Sequence, residues 1–231
     1  MSTVGYYGVL TYGHEKYDSV KTQFYETWTH PASERPRPKK VVRILGITCP
    51  TKITEAYLKY KAALEKRGKF STRGMEPANE RRRWHGTMIE NCKMLSGHLA
   101  DRGECDDDIA KCVLCSIINT GFRKPQPVTP SNQMFGFGVY LTATSSKADG
   151  YTGKRVGNFI HAATGLRAII LNKVAVGRAM KMPKASENLL RPPQGYDSVI
   201  GEPGFTVNLK YDELIVYETA ALLPSYVVVY E

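Results

Sequence analysis

The sequence lacks any apolar run near the ~20 residues that a membrane-spanning helix needs. Its first ten residues, MSTVGYYGVL, also lack the charged and apolar regions of an export signal. These absences predict an intracellular protein, nuclear or cytoplasmic, with no membrane partner. The chain has 231 residues, of which 42% are hydrophobic and 23% charged, and it shows no internal repeat. We therefore expect one monomeric domain over residues 1–231.

Acidic residues are fewer than basic ones: the chain has 22 aspartates and glutamates and 32 lysines and arginines, which gives a net charge of +10. Such a field favours approach to nucleic acids, anionic membrane surfaces or phosphorylated ligands. The basic residues are spread along the chain, with local clusters at Lys39-Lys40 and Arg81-Arg82-Arg83. The net charge therefore affects how readily the protein associates with an anionic partner, but it does not predict the fold.

The apolar pattern predicts helices first and short strands later in the chain. Apolar residues recur at helical spacing over residues 18–28 and 51–67, and a further helix is expected after Tyr151. The predicted strands are VVRILGI (41–47), RRRWHGT ending at Gly86, FGFGVYL (135–141), RAIILNKVAVG (167–177) and two β-rich runs in 213–231 separated by a turn at Leu223-Pro224. Residues 178–205 read as a long polar loop. The predicted class is α+β with a mostly antiparallel sheet.

Three strand-edge residues are candidates for chemistry: His85 in WHGT, Tyr140 in FGFGVYL and Glu213 in YDELIVY. Each alone is more typical of a structural or solvated residue. The two glycines of GFGVY do not make a dinucleotide fingerprint, because the third glycine and the strand-turn-helix context are absent.

Taken together and in this order, the three residues resemble the His-Tyr-Glu set of the poly(ADP-ribose) polymerase-like ADP-ribosyltransferases. The resemblance covers most of the chain from about residue 18 onward, and it implies that family's fold, a split and mostly antiparallel β-sheet core with flanking helices. It rests on WHGT (84–87), GF (121–122) followed by Arg123, MFGFGVYLTATSSKADGY (134–151), RAIILNKVAVG (167–177), GYDSV (195–199) and DELIVYE (212–218).

The resemblance implies that NAD is the substrate. It assigns His85 to the ribose on the adenosine side and the Gly86 backbone to the nicotinamide carboxamide. Tyr140 would line the pocket, and Tyr151 would stack on the nicotinamide ring. Glu213 would accept a hydrogen bond from the 2′-hydroxyl of the nicotinamide ribose.

Further NAD contacts are expected from Thr87, from Lys147 and from Arg123, the last toward the phosphates or adenosine. Ser146 and Lys147 are candidates for positioning substrate or acceptor, and a solvated charge is the alternative for Lys147.

One departure weakens the match: family members often carry a serine that bonds the carboxamide where this chain has Ala148. Loss of one neutral hydrogen bond costs about 0.5–1.5 kcal/mol, so NAD affinity is expected to fall by up to about tenfold. In a second departure, the three arginines occupy a strand that is often apolar in relatives, which predicts that this strand has one solvated face.

The implied chemistry explains the residue types. Cleavage of the ribose-nicotinamide bond passes through an oxocarbenium-like state, which a nearby carboxylate binds better than it binds the ground state. Nicotinamide leaves as a neutral molecule, so the reaction needs a clamp on the ring and no general acid. Glu213 is therefore the central catalytic candidate.

Cysteines are few but clustered: four of the five fall at 92, 105, 112 and 115, in an insertion at about 88–116 that is similar to fungal family members. Without an export signal, such clustering favours metal or free thiols over disulfides. Cys92, Cys105, Cys112 and Cys115 could enclose structural Zn²⁺, with His98 as a substitute ligand. Buried reduced thiols and disulfides remain the alternatives.

The predicted function is transfer of ADP-ribose from NAD to a macromolecular acceptor, either protein or the ends of DNA or RNA, with single transfer favoured. One alternative is a weak or inactive module that binds ADP-ribose or nucleic acid. An RNA 2′-phosphotransferase of the same fold is disfavoured, because those enzymes use an arginine-rich set.

Overall fold

The computed structural model describes residues 4–89, 92–95, 102–104, 112–125, 133–151, 164–204 and 209–231. These residues form four α-helices and ten strands. The helices are α1 (Glu15–Glu26), α2 (Thr51–Gly68), α3 (Val113–Thr120) and α4 (Ser145–Asp149). The strands are β1 (Tyr6–Val9), β2 (Val41–Thr48), β3 (Glu80–Gly86), β4 (Arg102–Glu104), β5 (Val139–Leu141), β6 (Arg167–Ala175), β7 (Ala179–Met182), β8 (Ser198–Gly201), β9 (Glu213–Val216) and β10 (Leu222–Tyr230).

The described strands lie in two sheets. The first has the order β3-β6-β10-β2-β1-β4 and is antiparallel throughout. The second has the order β5-β9-β8-β7, in which β7 and β8 pair in parallel. The predicted α+β class with mostly antiparallel, split sheets is confirmed.

Apolar residues cover both faces of the six-stranded sheet. One face packs against the second sheet and α3 in a core that includes Leu45, Leu114, Leu141, Ile170 and Leu214. The other face is covered by α1, whose helical spacing places Val20 and Phe24 on the sheet. Phe24 contacts the rings of Trp84 and Tyr230 with centroid separations of 5.9 and 5.0 Å. This aromatic contact fixes β3, the strand that ends at His85 and Gly86.

Several predicted elements match the structure closely. The helix predicted at 51–67 is α2, and the strands predicted at 41–47 and 167–177 are β2 and β6. The helix predicted at 18–28 begins earlier, at Glu15, because the His14 side chain caps it by accepting a hydrogen bond from the Lys16 N–H. The helix predicted after Tyr151 lies outside the described residues.

Two predictions for the second half are wrong. The predicted loop at 178–205 contains β7 and β8. The predicted turn at Leu223-Pro224 is part of β10, where the register with β6 shifts between Pro224 and Tyr226. Such a bulge lets a strand pass through a proline, which cannot donate to the ladder.

Two short strands of the first sheet were not predicted. β1 pairs with β2, and β4 pairs with β1, so the cysteine-rich insertion contributes the edge strand of the sheet. Among the described residues, no helix has the length and apolar character that crossing a membrane requires.

Candidate active site

The two sheets meet at the end of β3. The Trp84 N–H donates to the Thr142 carbonyl at 2.8 Å, and the Thr142 N–H donates to the Trp84 carbonyl at 3.0 Å. This bridge places His85 beside β5, where its Nδ1 lies 2.9 Å from the Tyr140 carbonyl oxygen. A carbonyl only accepts, so Nδ1 carries the proton, and the neutral ring keeps Nε2 as an acceptor. Burial lowers the pKa of His85, against the raising effect of this hydrogen bond.

A pocket opens at this junction, and it brings together most of the candidate residues. Its walls come from β3, β5, α4 and the start of β9. The lining residues are Trp84, His85, Gly86, Tyr140, Leu141, Thr142, Lys147, Ala148, Tyr151 and Glu213. The His-Tyr-Glu set that the resemblance singled out therefore shares one cavity.

One buried carboxylate, that of Glu213, stands in the pocket wall. Its Oε1 lies 2.9 Å from the Lys147 Nζ and accepts a hydrogen bond from the Tyr151 hydroxyl at 3.2 Å. Burial lowers the pKa of Lys147, whereas the attraction of Glu213 raises it. Lys147 is therefore an ion-pair partner of the carboxylate, not a solvated charge.

On another wall Gly86 packs closely against α4, and the part of the pocket beside this contact, lined by Gly86, Ala148 and Tyr151, is called the slot. A Cβ on Gly86 would lie 2.0 Å from the Ala148 carbonyl oxygen and 3.0 Å from the Tyr151 Cβ, so only glycine fits. In a strand the backbone N–H and C=O of successive residues point to opposite sides, and those of Trp84 point to β5. The Gly86 N–H and C=O, two residues on, therefore face away from β6 and toward the pocket. Tyr151, which is 57% exposed, stands at the mouth.

Helix α4 is held in place by the buried Asp149. This carboxylate forms ion pairs with Arg35 at 2.7 Å and Arg167 at 2.8 Å, and it accepts a hydrogen bond from the Tyr230 hydroxyl at 2.7 Å. These contacts join α4 to the first sheet and fix the slot beside Gly86.

The Tyr140 hydroxyl forms hydrogen bonds with the backbone of the loop before β5. It accepts from the Phe135 N–H at 2.8 Å and donates to the Gly136 carbonyl at 3.0 Å, while burial raises its pKa. Only the ring of Tyr140 is therefore presented to the pocket. Ser146 is similarly engaged, because its Oγ accepts the N–H groups of Thr29 and His30 at 3.1 and 3.2 Å.

Two predicted NAD contacts do not line the pocket. Thr87 is buried just beyond Gly86, and Arg123 is exposed on the segment after α3. The neighbour of Arg123, Phe122, packs its ring edge against His85 with a centroid separation of 5.0 Å. Phe122 was not singled out from the sequence, and only its place in the GF motif pointed to it.

The predicted solvated face of the arginine run is found only in part. Arg81 is exposed, but Arg82 and Arg83 are partly buried, and burial lowers the pKa of both. Arg82 donates to the Ser19 hydroxyl of α1 at 2.9 Å, so it helps to pack that helix on the sheet.

Three of the clustered cysteines form a buried group. The sulfurs of Cys92, Cys112 and Cys115 lie within 4.8 Å of one another, which is close enough to bind one metal ion. Cys112 also caps α3, since its Sγ accepts from the Cys115 N–H at 3.4 Å. Cys92 and Cys112 are reduced thiols, whereas Cys115 is disulfide-bonded. The predicted ligand Cys105 and the substitute His98 lie outside the described residues.

Residues 111–208 match the family model of the poly(ADP-ribose) polymerase catalytic domain. The match covers 98 of the 231 residues, so the chain is similar to this catalytic domain over less than half of its length. The matched segment contains Tyr140, Lys147 and Tyr151, whereas His85 and Glu213 lie on either side of it and join the same pocket in the fold. No curated protein sequence matches the chain.

Proposed function

We propose that the protein cleaves the nicotinamide-ribose bond of NAD and transfers ADP-ribose to a macromolecular acceptor. The observation that carries this proposal is the buried Glu213 carboxylate, which lines the same pocket as the slot residues Gly86, Ala148 and Tyr151. A carboxylate fixed beside a slot fit for a planar ring meets the two needs of the reaction: binding of a cationic transition state and a clamp on the leaving group.

The leaving group is held by the slot. The N–H and C=O of Gly86 are a matched donor and acceptor for a carboxamide, and the Tyr151 ring at the mouth supplies a face for stacking. Nicotinamide departs uncharged, so no proton needs to be delivered to it. His85 Nε2, the neutral acceptor of the ring, is suited to a ribose hydroxyl donor.

The transition state gains positive charge on the ribose, and Glu213 binds that charge more tightly than the neutral ground-state sugar. Lys147 and Tyr151 share one oxygen of this carboxylate, Oε1. These contacts fix the carboxylate before substrate arrives, so little reorganisation is needed during the reaction.

The decisive experiment is Glu213→Gln, which keeps the side-chain volume and removes the charge. We expect nicotinamide release from NAD to fall by a factor of about 10² or more, with the melting temperature close to that of the unaltered protein. Glu218→Gln, on an exposed glutamate just after the same strand, is the matched control and should retain activity. Near-normal release by Glu213→Gln would refute the mechanism. Tight NAD binding without release by the unaltered protein would instead favour the binding module.

We propose that the acceptor is an intracellular protein or a nucleic-acid end and that one unit is attached. The net charge of +10 supports an anionic acceptor. Intact mass of the protein and of candidate oligonucleotides after incubation with NAD identifies the modified molecule. It also distinguishes one unit from many.

We further propose that the cysteine cluster binds structural Zn²⁺ through Cys92, Cys105, Cys112 and Cys115. Three buried sulfurs within reach of one ion support a thiolate site once the Cys115 disulfide is reduced, and Cys112-x2-Cys115 is a usual zinc spacing. Metal content per chain after purification without added zinc or reducing agent tests this. A chain with no metal, whose intact mass is lower by two hydrogens, would show a disulfide instead.

A further inference from the structure

We infer that Asp212 is a positioning residue that sets the place of the Glu213 carboxylate through a hydrogen-bonded clamp between the start of β9 and the end of β5. This inference rests on the proposed role of Glu213. Asp212 does not line the pocket, so any effect on the reaction must pass through its neighbour.

The clamp consists of the Asp212 carboxylate and the segment that follows β5. Oδ1 accepts from the Thr142 hydroxyl at 3.0 Å and from the Ala143 N–H at 3.1 Å, and Oδ2 lies 3.2 Å from the same N–H. The Thr142 Oγ1 in turn accepts from the Thr144 N–H at 3.1 Å. The carboxylate thus fixes the turn that joins β5 to α4.

A second set of contacts holds the same peptide from the other side. The Lys147 Nζ donates to the carbonyl oxygens of Tyr211 and Asp212 at 2.9 and 3.1 Å, in addition to its ion pair with Glu213. The backbone just before Glu213 is therefore held between α4 and the end of β5.

The clamp matters because Glu213 is the first residue of β9. The register pairs Leu214 with Leu141, and the ladder between β9 and β5 ends there. Beyond that point, Asp212 supplies the link between the two strands. On its other side Glu213 pairs with Gly201 of β8, so without Asp212 this end of β9 is held by one neighbouring strand only. Even a small shift in carboxylate position lowers a rate that depends on alignment.

The test compares Asp212→Ala with Asp212→Asn in nicotinamide release, with kcat and KM for NAD measured separately. Alanine removes both acceptor oxygens, so kcat should fall about 10- to 100-fold, while KM and the melting temperature stay near those of the unaltered protein. Asparagine keeps one acceptor oxygen for the Thr142 hydroxyl and the Ala143 N–H, so it should restore most of kcat. Glu218→Gln serves as the control.

Three outcomes are informative. An unchanged kcat in folded Asp212→Ala overturns the inference, and so does a loss that asparagine does not restore. If Asp212→Ala does not fold, Asp212→Ser, which is too short to make both contacts, should show a partial loss of kcat. The Glu213→Gln variant separates the two proposals: if it is active, the proposed function fails, whereas inactive Glu213→Gln with fully active Asp212→Ala rejects the clamp alone.

Discussion

Ala148→Ser offers a gain-of-affinity test of the nicotinamide slot. Ala148 is 1% exposed, lines the pocket and lies on the α4 backbone that faces Gly86. A serine hydroxyl there could donate to the carboxamide in the way the family resemblance implies. One net hydrogen bond contributes about 0.5–1.5 kcal/mol, which corresponds to about a two- to twelvefold gain in NAD affinity.

The gain is expected at the low end of this range. The Ala148 N–H donates to the Thr144 carbonyl at 3.2 Å, and a serine hydroxyl in a helix can turn back to that same carbonyl. This internal bond competes with the carboxamide.

The assay is nicotinamide release over a range of NAD concentrations, together with a direct measurement of NAD affinity. KM and Kd for NAD should fall together, with kcat little changed, because the new bond forms in both ground and transition states. Ala148→Cys, similar in size but with a weak donor, is the matched control and should give little gain. A Ser variant that folds but binds NAD no better than Cys would refute the placement of the carboxamide beside Ala148.

Three other predictions follow from the same structure. Gly86→Ala should abolish nicotinamide release and lower stability by about 1–3 kcal/mol, measured by urea unfolding, because the new methyl collides with the Ala148 carbonyl. The pKa of the buried His85 ring lies below its ordinary value of 6.5. As the pH falls below 6.5, the ring takes up a proton in the unfolded chain before it does so in the folded protein, so the free energy of unfolding should decrease. His85→Gln should flatten that slope, and an unchanged slope would contradict it. Cys112→Ser should lower metal content and melting temperature, whereas Cys49→Ser, outside the cluster, should leave metal content unchanged.

The sequence predicted the elements whose own pattern is strong. β6 is a nine-residue run rich in β-branched and apolar residues, and α2 carries an apolar stripe, so each was found within a few residues. The missed strands YYGV, AMKM and SVIG are four residues long, and their pairing is decided by neighbours far along the chain. Local pattern cannot report such tertiary pairing.

The site shows the same division. The family resemblance singled out the three residues that share the pocket, but it could not supply the contacts among them. The ion pair of Lys147 with Glu213 and the clamp of Asp212 on Thr142 join positions about seventy residues apart. They exist because β5 pairs with β9, and that pairing was not predicted.

The insertion and the active site are physically connected. Cys92 follows Gly86 by six residues, and Cys112 and Cys115 begin α3, which leads through Gly121 to Phe122 and its contact with His85. The sulfur cluster therefore joins the segment that leaves His85 to the segment that returns to it. A bond at the cluster, whether to metal or between sulfurs, limits how far these two segments can separate, so its chemistry bears on the support of His85 even though the reaction itself requires no metal.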